Sequence, residues 1–519
     1  MKSADQNDVI VPTIAIVPAP ARIEVLASPA FRLTPDVQIA GDPDAGAALA
    51  ALIQARTGDR SVLAHGRAPI TVRIEAGSLE PGGAAESYRL EVDEESVSLV
   101  GTDAAGLFYG VQTLAQLITR QGEAFVIPAV RIEDAPRFAY RGVMLDVARH
   151  FHSAETVEAY IDRAAALKFN VLHLHLSDDQ GWRIQLDSRP ELTEVASGSS
   201  VGGDPGGFYT KADYARIIDH AASRHMIVVP EIDLPGHTHA VGLAYPQLAE
   251  APVLSDHIRE VAEQYGGALP TPGVPYDGMA VGFSSLRIHD EATYDFVTDV
   301  LTELAAMTPG PYLHVGGDEA LGTDPADFAV FMARVTAIAA SLGKTPVTWH
   351  EAGDAAGIAP TTIGQYWGFL TPTDGMDEKA RGFVAHGSRV ILSPADAIYL
   401  DMKYDAGSSL GLTWARGVTS VERAYSWEPA TLLEGIGEAD ILGVEAPMWT
   451  ETIRTLGDID EMAFPRIAAA AEAAWSPATT ASGLRTWESF RERVGGLGPL
   501  WTSLGFGLPH SDELTWATR

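Results

Sequence analysis

The chain has 519 residues, and its formal net charge of −33 comes from 69 acidic and 36 basic residues. This charge repels a phosphate backbone and argues against a nucleic-acid partner. No segment approaches the roughly 18 uninterrupted apolar residues of a membrane span, so no membrane partner is expected either. The chain contains no cysteine, which excludes disulfides, thiolate metal sites and cysteine nucleophiles.

The first eight residues carry a single basic residue, Lys2, and no apolar segment follows it. This pattern predicts no signal peptide in the sequence as written and therefore a cytoplasmic location. A secreted protein from which a leader has been removed would read in the same way. The sequence does not indicate the oligomeric state.

Residues 1–135 are predicted to form a smaller α+β domain. Alternating apolar and polar residues predict strands at Ile70–Ile74 and Tyr88–Val92. Apolar residues at helical spacing predict a helix from Ala104 to Thr119. Asp134–Arg137 contains a proline and is predicted to connect this domain to the next.

Residues 136–519 show apolar strands that alternate with amphipathic helices, which predicts an α/β domain. Eight parallel strands are expected, at Gly142–Val147, Val171–Leu176, Ile227–Glu231, Tyr312–Val315, Thr345–Trp349, Ile363–Trp367, Arg389–Leu392 and Ile441–Ala446. Eight such repeats are typical of a (β/α)8 TIM barrel, whose active sites lie at the carboxyl ends of the strands. A doubly wound sheet is the alternative, but its glycine-rich fingerprint is missing. A C-terminal helical tail from Leu484 is expected to close the barrel.

The fourth strand runs into Gly316, Gly317, Asp318 and Glu319. Side chains alternate faces along a regular strand, so both acids can reach one pocket only if the backbone departs from strand geometry. The two glycines make that departure easy. The alternative is an ordinary pair of solvated acids at the start of a helix.

Polar and aromatic side chains also follow the other strands, and a barrel would bring them to one rim. Tryptophans among carboxylates are typical of sugar sites, because rings stack on the C–H faces of a sugar and carboxylates bind its hydroxyls. The strand-end residues are Arg149, His150, Asp178, Asp179, Asp233, His237, Asp318, Glu319, Trp349, Trp367, Tyr399, Asp401, Trp449 and Glu451.

A metal site is a second interpretation of some of these residues. Imidazole and carboxylate groups suit zinc or a related ion, and the candidate ligands are His173, His175, Asp178, Asp233, His237 and His239. The sequence lacks an H-E-x-x-H pair, and a barrel strand easily holds a hydrogen-bonded histidine. We therefore expect no metal and no other cofactor.

Six segments, in order along the chain, resemble the β-N-acetylhexosaminidases of glycoside hydrolase family 20. The segments are Leu145–Phe151, His173–Arg183, Pro230–His237, His314–Glu319, Tyr399–Asp401 and Trp449–Glu451. The resemblance implies a retaining exo-hydrolase that removes terminal N-acetylglucosamine or N-acetylgalactosamine from a small carbohydrate substrate. In such enzymes the substrate supplies the nucleophile, and its 2-acetamido oxygen forms an oxazolinium intermediate.

The resemblance also implies roles for the acidic pair and its neighbours. Glu319 would be the general acid and then the base, and Asp318 would accept the acetamide N–H. Tyr399 would donate a hydrogen bond to the acetamide oxygen. Asp178 and His237 would form a dyad that supports the acid, although a purely structural hydrogen-bond network is the alternative for them.

The remaining roles concern substrate binding. Trp349, Trp367 and Trp449 would surround the acetamide methyl group, and Arg149 and Glu451 would bind hydroxyls of the terminal sugar. Asp401 and Trp414 would lie near its 6-hydroxyl. The alternatives are a disaccharide-releasing lacto-N-biosidase, a carbohydrate-binding protein without catalysis and a metal-dependent TIM-barrel hydrolase.

Overall fold

The computed structural model describes residues 14–76, 84–508 and 511–517; residues 1–8, on which the expectation about a signal peptide depends, lie outside this range. The chain forms two compact units. One comprises the residues up to Ala135 together with those from Thr479 onward, and the other comprises Pro136–Ala478. Within the described residues, none of the helices is both long and apolar enough to cross a bilayer.

The first unit is an α+β structure built on a mixed seven-stranded sheet. In spatial order its strands are Arg22–Val25, Val130–Asp134, Tyr88–Val92, Val97–Gly101, Ile70–Ile74, Val37–Gly41 and Ser61–Ala64. A second sheet orders Phe31–Leu33, Ala124–Ile127 and Thr119–Gln121. The helices of this part of the chain are Pro43–Thr57 and Ala104–Gln116. The second helix ends before the predicted Thr119, because that residue begins a strand.

The C-terminal tail packs in the first unit. Helix Trp487–Ser503 buries Val494 and Leu497, and the Arg493 guanidinium donates to the carbonyl of Ile16 at 2.7 Å. The sequence analysis assigned this tail to the barrel domain. The structure corrects that assignment, because the apolar face of the tail helix is buried within the first unit.

The second unit contains a closed barrel of eight parallel strands that follow one another in chain order. The strands are Tyr140–Asp146, Val171–His175, Ile227–Glu231, Tyr312–His314, Thr345–Trp349, Ile363–Tyr366, Val390–Leu392 and Ile441–Ala446. All eight predicted strands are present, and the predicted (β/α)8 fold is confirmed. A short antiparallel pair, Ser177–Asp178 with Gly181–Trp182, follows the second strand.

Helices connect the barrel strands, and the predicted N-cap of the first is formed by Ser153, whose hydroxyl accepts from the Thr156 N–H. The helices are Ala154–Ala165, Glu191–Ala196, Lys211–Ser223, His239–Ala244, Asp256–Tyr265, Glu291–Met307, Pro325–Ser341, Met376–Ala385, Ala395–Ile398, Val421–Tyr425, Leu456–Ala463 and Arg466–Trp475. Short 3-10 turns lie at Val201–Gly203, Pro246–Leu248, His350–Asp354, Pro429–Thr431 and Glu438–Asp440.

The barrel interior changes from apolar to charged along the strands. Near the amino ends, buried apolar side chains such as Val171, Val347 and Ile391 pack into one cluster. Nearer the carboxyl ends the interior holds Glu231 and Glu445, both fully buried. Such charges require partners, and those partners connect the barrel interior to the site described next.

Candidate active site

The chain turns sharply after the fourth barrel strand, and two glycines make this turn possible. Gly316 and Gly317 have φ angles of 65° and 108°, in the region that favours glycine. A Cβ atom at Gly316 would lie 1.7 Å from Asp233 Oδ1, and the Gly317 N–H donates to that same oxygen at 3.0 Å. The turn therefore has space for glycine only, and it carries Asp318 and Glu319 to the rim.

The two acids share one neighbour, His237. Its Nε2 lies 3.8 Å from Asp318 Oδ2 and 3.7 Å from Glu319 Oε2. Glu319 itself has a φ of 44°, so the backbone stays out of strand geometry through the pair. Both carboxylates therefore lie on the same side of the site, as the glycine argument predicted.

His237 is held from its other side by Asp178. Its Nδ1 lies 3.1 Å from Asp178 Oδ1. Burial alone would lower the pKa of His237, but the surrounding carboxylates, Asp178 above all, raise it well above its usual range. A protonated imidazole thus lies between Asp178 and the acidic pair.

Asp178 is fully buried and has two further cationic partners. Its Oδ2 is 2.7 Å from Arg149 Nη1 and 2.7 Å from His175 Nε2. Burial would raise the pKa of Asp178, but Arg149 and the two histidines hold it well below its usual range. Asp178 is therefore a fixed negative charge that orients three cationic side chains.

Glu319 differs from Asp178 because it retains a proton near neutral pH. Its burial raises the pKa of Glu319 to about 7; nearby His237 opposes this shift and Asp318 adds to it. The side chain keeps 35% of its surface accessible, and it lines the cavity described below. A carboxyl group with this pKa can donate a proton and later accept one.

The neighbouring Asp179 has a structural role. It is buried, and its Oδ1 accepts from the Ser284 hydroxyl at 2.7 Å and from the His239 N–H at 2.9 Å. The adjacent acids at the end of the second strand thus divide their functions. Asp178 orients His237, and Asp179 anchors the long segment that follows the third strand.

The histidines considered as metal ligands belong to a buried hydrogen-bond network. His173 lies 2.9 Å from Glu445 Oε1 and 3.1 Å from Glu231 Oε2, and His175 connects Glu231 to Asp178. Burial would lower the pKa of both histidines, but these carboxylates raise it to about 10 for His173 and about 9 for His175. Both imidazoles are therefore ion-pair partners of the buried carboxylates.

A cavity of about 500 Å³ opens at this rim, within the range of roughly 300–1,000 Å³ usual for small-molecule sites. Eight of the predicted site residues line it: Arg149, Asp318, Glu319, Trp367, Tyr399, Trp414, Trp449 and Glu451. Asp178 and His237 lie behind Glu319 and Asp318. The structure thus brings predicted residues from five strand ends or following loops to the lining of one cavity.

Two predicted binding residues lie beneath the lining. Trp349 is fully buried, donates its indole N–H to Glu231 Oε1 at 2.8 Å and packs 6.0 Å from the Trp449 ring. Asp401 is 2% exposed, and its Oδ1 accepts from the Trp449 N–H at 3.4 Å. In this structure both residues support Trp449, which itself lines the cavity.

Sequence reasoning missed Glu351, which follows the fifth strand. Both of its oxygens accept from the Trp367 indole N–H at 3.1 Å. Burial, and then the charge of Asp318, raises the pKa of Glu351 to about 8. Its position two residues after Trp349 was the available signal, because that places it beyond the strand end. Residues of helix Asp256–Tyr265 also contribute to the cavity wall, and they were not among the predicted site residues.

Comparison with known proteins agrees with this geometry. The model of "Glycosyl hydrolase family 20, catalytic domain" matches residues 138–478, and that of "Glycosyl hydrolase family 20, domain 2" matches residues 13–135. The chain therefore belongs to glycosyl hydrolase family 20.

Individual relatives cover almost the whole chain. A β-N-acetylhexosaminidase of Cellulomonas fimi is 41% identical over 518 residues, covering 97% of this chain and 98% of the relative. A solved family 20 β-N-acetylglucosaminidase is 65% identical with a TM-score of 0.89, covering 98% of this chain and 100% of that one. A mutant Streptomyces plicatus β-hexosaminidase, solved in complex with its product GlcNAc, is 42% identical with a TM-score of 0.87, and the match covers 98% of each chain.

Proposed function

We propose that Glu319 is the general acid and base of a retaining exo-β-N-acetylhexosaminidase acting on terminal N-acetylglucosamine or N-acetylgalactosamine. The observation that carries this proposal is the carboxyl group of Glu319, whose pKa is raised to about 7 and which faces the cavity beside protonated His237. An acid of this pKa can protonate the leaving-group oxygen at neutral pH and then activate water.

The substrate supplies the nucleophile, as in this family generally. Asp318 and Glu319 approach the same nitrogen of His237, so they do not lie on opposite faces of a glycosidic bond as a two-carboxylate mechanism requires. Asp318 Oδ1 has no hydrogen-bond partner among the described residues. It is therefore available to accept the acetamide N–H and to stabilise the positive charge of the oxazolinium ring.

Sugar binding is assigned to the remaining lining residues. Tyr399 is buried between Trp414 and Trp449, and burial raises its pKa well above the usual range, so its hydroxyl stays a donor for the acetamide oxygen. Arg149 lines the cavity, and we assign its guanidinium to a hydroxyl of the terminal sugar. Burial raises the pKa of Glu451, and this carboxyl group also faces the cavity.

The test is the variant Glu319→Gln, assayed on an aryl β-N-acetylglucosaminide. We expect kcat/KM to fall by about 100-fold or more, the usual contribution of a general acid. Glu123→Gln, on an exposed turn of the first unit, is the control and should retain full activity. If Glu319→Gln keeps its activity within about tenfold, the assignment of the acid is wrong.

A further inference from the structure

One wall of the cavity comes from a segment outside the barrel strands. Helix Asp256–Tyr265 lies in the long connection after the third strand and contributes His257, Val261, Gln264 and Tyr265 to the lining. These positions are spaced by four, three and one residues, so they share one face of the helix. The face is open, and Tyr265 keeps 43% of its surface exposed.

One edge of this same face is packed against the protein, because Ile258 lies seven residues before Tyr265. Ile258 is 2% exposed and packs with Tyr276, Ala280 and Phe283, and Val261 packs against the same cluster. The segment that carries this cluster is anchored further by hydrogen bonds. Gln180 donates to the carbonyl of Gly278 at 2.9 Å. The helix therefore presents Tyr265 from a packed support rather than from a free loop.

The same segment reaches the catalytic acid. A Cβ atom placed on Gly282 would lie 3.0 Å from the carbonyl oxygen of Glu319, and Met279, Ala280 and Val281 line the cavity beside it. A general acid protonates the oxygen of the leaving group. The leaving group must therefore lie next to Glu319, in the cavity that this segment also lines.

From this arrangement we infer that the exposed face of helix Asp256–Tyr265 is a binding site for the leaving-group sugar. Its ligand is a second pyranose ring, β-linked to the terminal N-acetylhexosamine, so the inference rests on the proposed function. The Tyr265 ring offers an apolar surface for the C–H face of that sugar. His257 and Gln264 offer donors and acceptors for its hydroxyl groups.

The site makes Tyr265 a determinant of substrate choice that contributes little to cleavage itself. The Tyr265 ring contacts the leaving-group sugar of a disaccharide. A methyl glycoside has no leaving-group sugar for this ring to contact. We expect the protein to prefer a disaccharide substrate over the methyl glycoside. This preference should depend on the ring at position 265.

The experiment compares Tyr265→Ala with the intact protein on three substrates: methyl β-N-acetylglucosaminide and the β-1,4- and β-1,3-linked disaccharides of N-acetylglucosamine. We expect Tyr265→Ala to lower kcat/KM for the preferred disaccharide about three- to tenfold, mainly through KM, and to change the methyl glycoside less than about twofold. Tyr265→Phe, which keeps the ring, should recover most of the loss. Phe208→Ala is the control, because Phe208 is similarly exposed at 38% but lies outside the cavity lining.

The outcomes separate this inference from the proposed function. If the intact protein hydrolyses none of the three substrates, the proposed function fails. If it hydrolyses the methyl glycoside but neither disaccharide faster, or if Tyr265→Ala affects all substrates equally or not at all, the leaving-group site is refuted while the proposed function stands. Thermal unfolding separates this refutation from misfolding: an equal effect refutes the site only if Tyr265→Ala unfolds at the same temperature as the intact protein, and otherwise the comparison is made with Tyr265→Leu, which also removes the ring.

Discussion

Neutralising Asp178 tests how the buried charges control the acid. Asp178→Asn keeps the shape of the side chain but removes a charge that lies 2.7 Å from Arg149 Nη1, 2.7 Å from His175 Nε2 and 3.1 Å from His237 Nδ1. Removing one partner of a fully buried ion pair costs roughly 3–5 kcal/mol of folding stability, because the other charge remains buried without compensation. We therefore expect a lower midpoint in thermal unfolding.

The same variant should change the pH dependence of catalysis. Asp178 is the strongest of the carboxylates that raise the pKa of His237, so that pKa should fall without it and His237 should lose its proton more readily. A neutral His237 no longer lowers the pKa of Glu319, and this effect exceeds the weaker direct influence of Asp178, which raises it. The pKa of Glu319 should therefore rise above about 7, and the basic limb of kcat/KM should move to higher pH.

The assay is kcat/KM for an aryl β-N-acetylglucosaminide from about pH 4 to about pH 9, the range in which an essential acid and base titrate. At the optimum we expect a loss on the order of 100-fold, as for a catalytic group displaced by about 1 Å. Asp299→Asn is the control, because Asp299 forms a partly exposed ion pair with Arg189 and its loss should cost only about 0–1 kcal/mol. An unchanged basic limb together with near-normal activity in Asp178→Asn would refute this reasoning.

Two further predictions concern the turn and the buried histidines. Gly316→Ala should abolish activity and lower the unfolding temperature, because its Cβ would meet Asp233 Oδ1 at 1.7 Å; Gly343→Ala, where φ is also positive but no atom lies within 4 Å, should cost only the backbone strain of about 1–2 kcal/mol. Similar losses in both variants would contradict the steric argument. The pKa values of His173 and His175 are raised to about 10 and about 9 from about 6.5 in the unfolded chain. The protonated histidines therefore stabilise the folded state fully below about pH 6.5, and this stabilisation is lost as the pH rises through about 9 to 10. The thermal unfolding midpoint should fall across this pH range. Glu231→Gln removes the carboxylate that both histidines contact, so this variant should unfold at a lower temperature at neutral pH and its midpoint should fall less steeply with pH. Equal slopes for the two proteins would contradict the prediction.

The barrel and the acidic pair could be predicted from sequence because local patterns determine them. Each barrel strand is a short apolar run between amphipathic helices, and chain order equals spatial order in this fold. The two glycines, Gly316 and Gly317, were the sequence signal that predicted Asp318 and Glu319 in one pocket. The physical requirement at these glycines, a close approach of the Asp233 carboxylate, could be seen only in the structure.

Depth and long-range packing were not available from the sequence. Trp349 ends one strand and Trp449 closely follows another, and the sequence gives no difference in depth between them. In the structure Trp349 is fully buried against Glu231, whereas Trp449 lines the cavity. The C-terminal tail contains an amphipathic helix, but the spacing of its apolar residues does not indicate in which unit they are buried. Tyr265 lies on a helix far along the chain from the strand ends, so only the folded chain brings it to the cavity that Glu319 lines.

The nucleophile supplied by the substrate is the central claim, and it can be measured by varying the acyl group. We would compare kcat/KM for aryl β-glucosaminides that carry N-acetyl or N-trifluoroacetyl groups and an identical leaving group. Fluorine withdraws electrons from the acyl oxygen, so the account predicts a fall of at least about tenfold, or about 1.4 kcal/mol in the barrier. Equal rates for the two substrates would show that the acyl oxygen is not the nucleophile and would contradict the account.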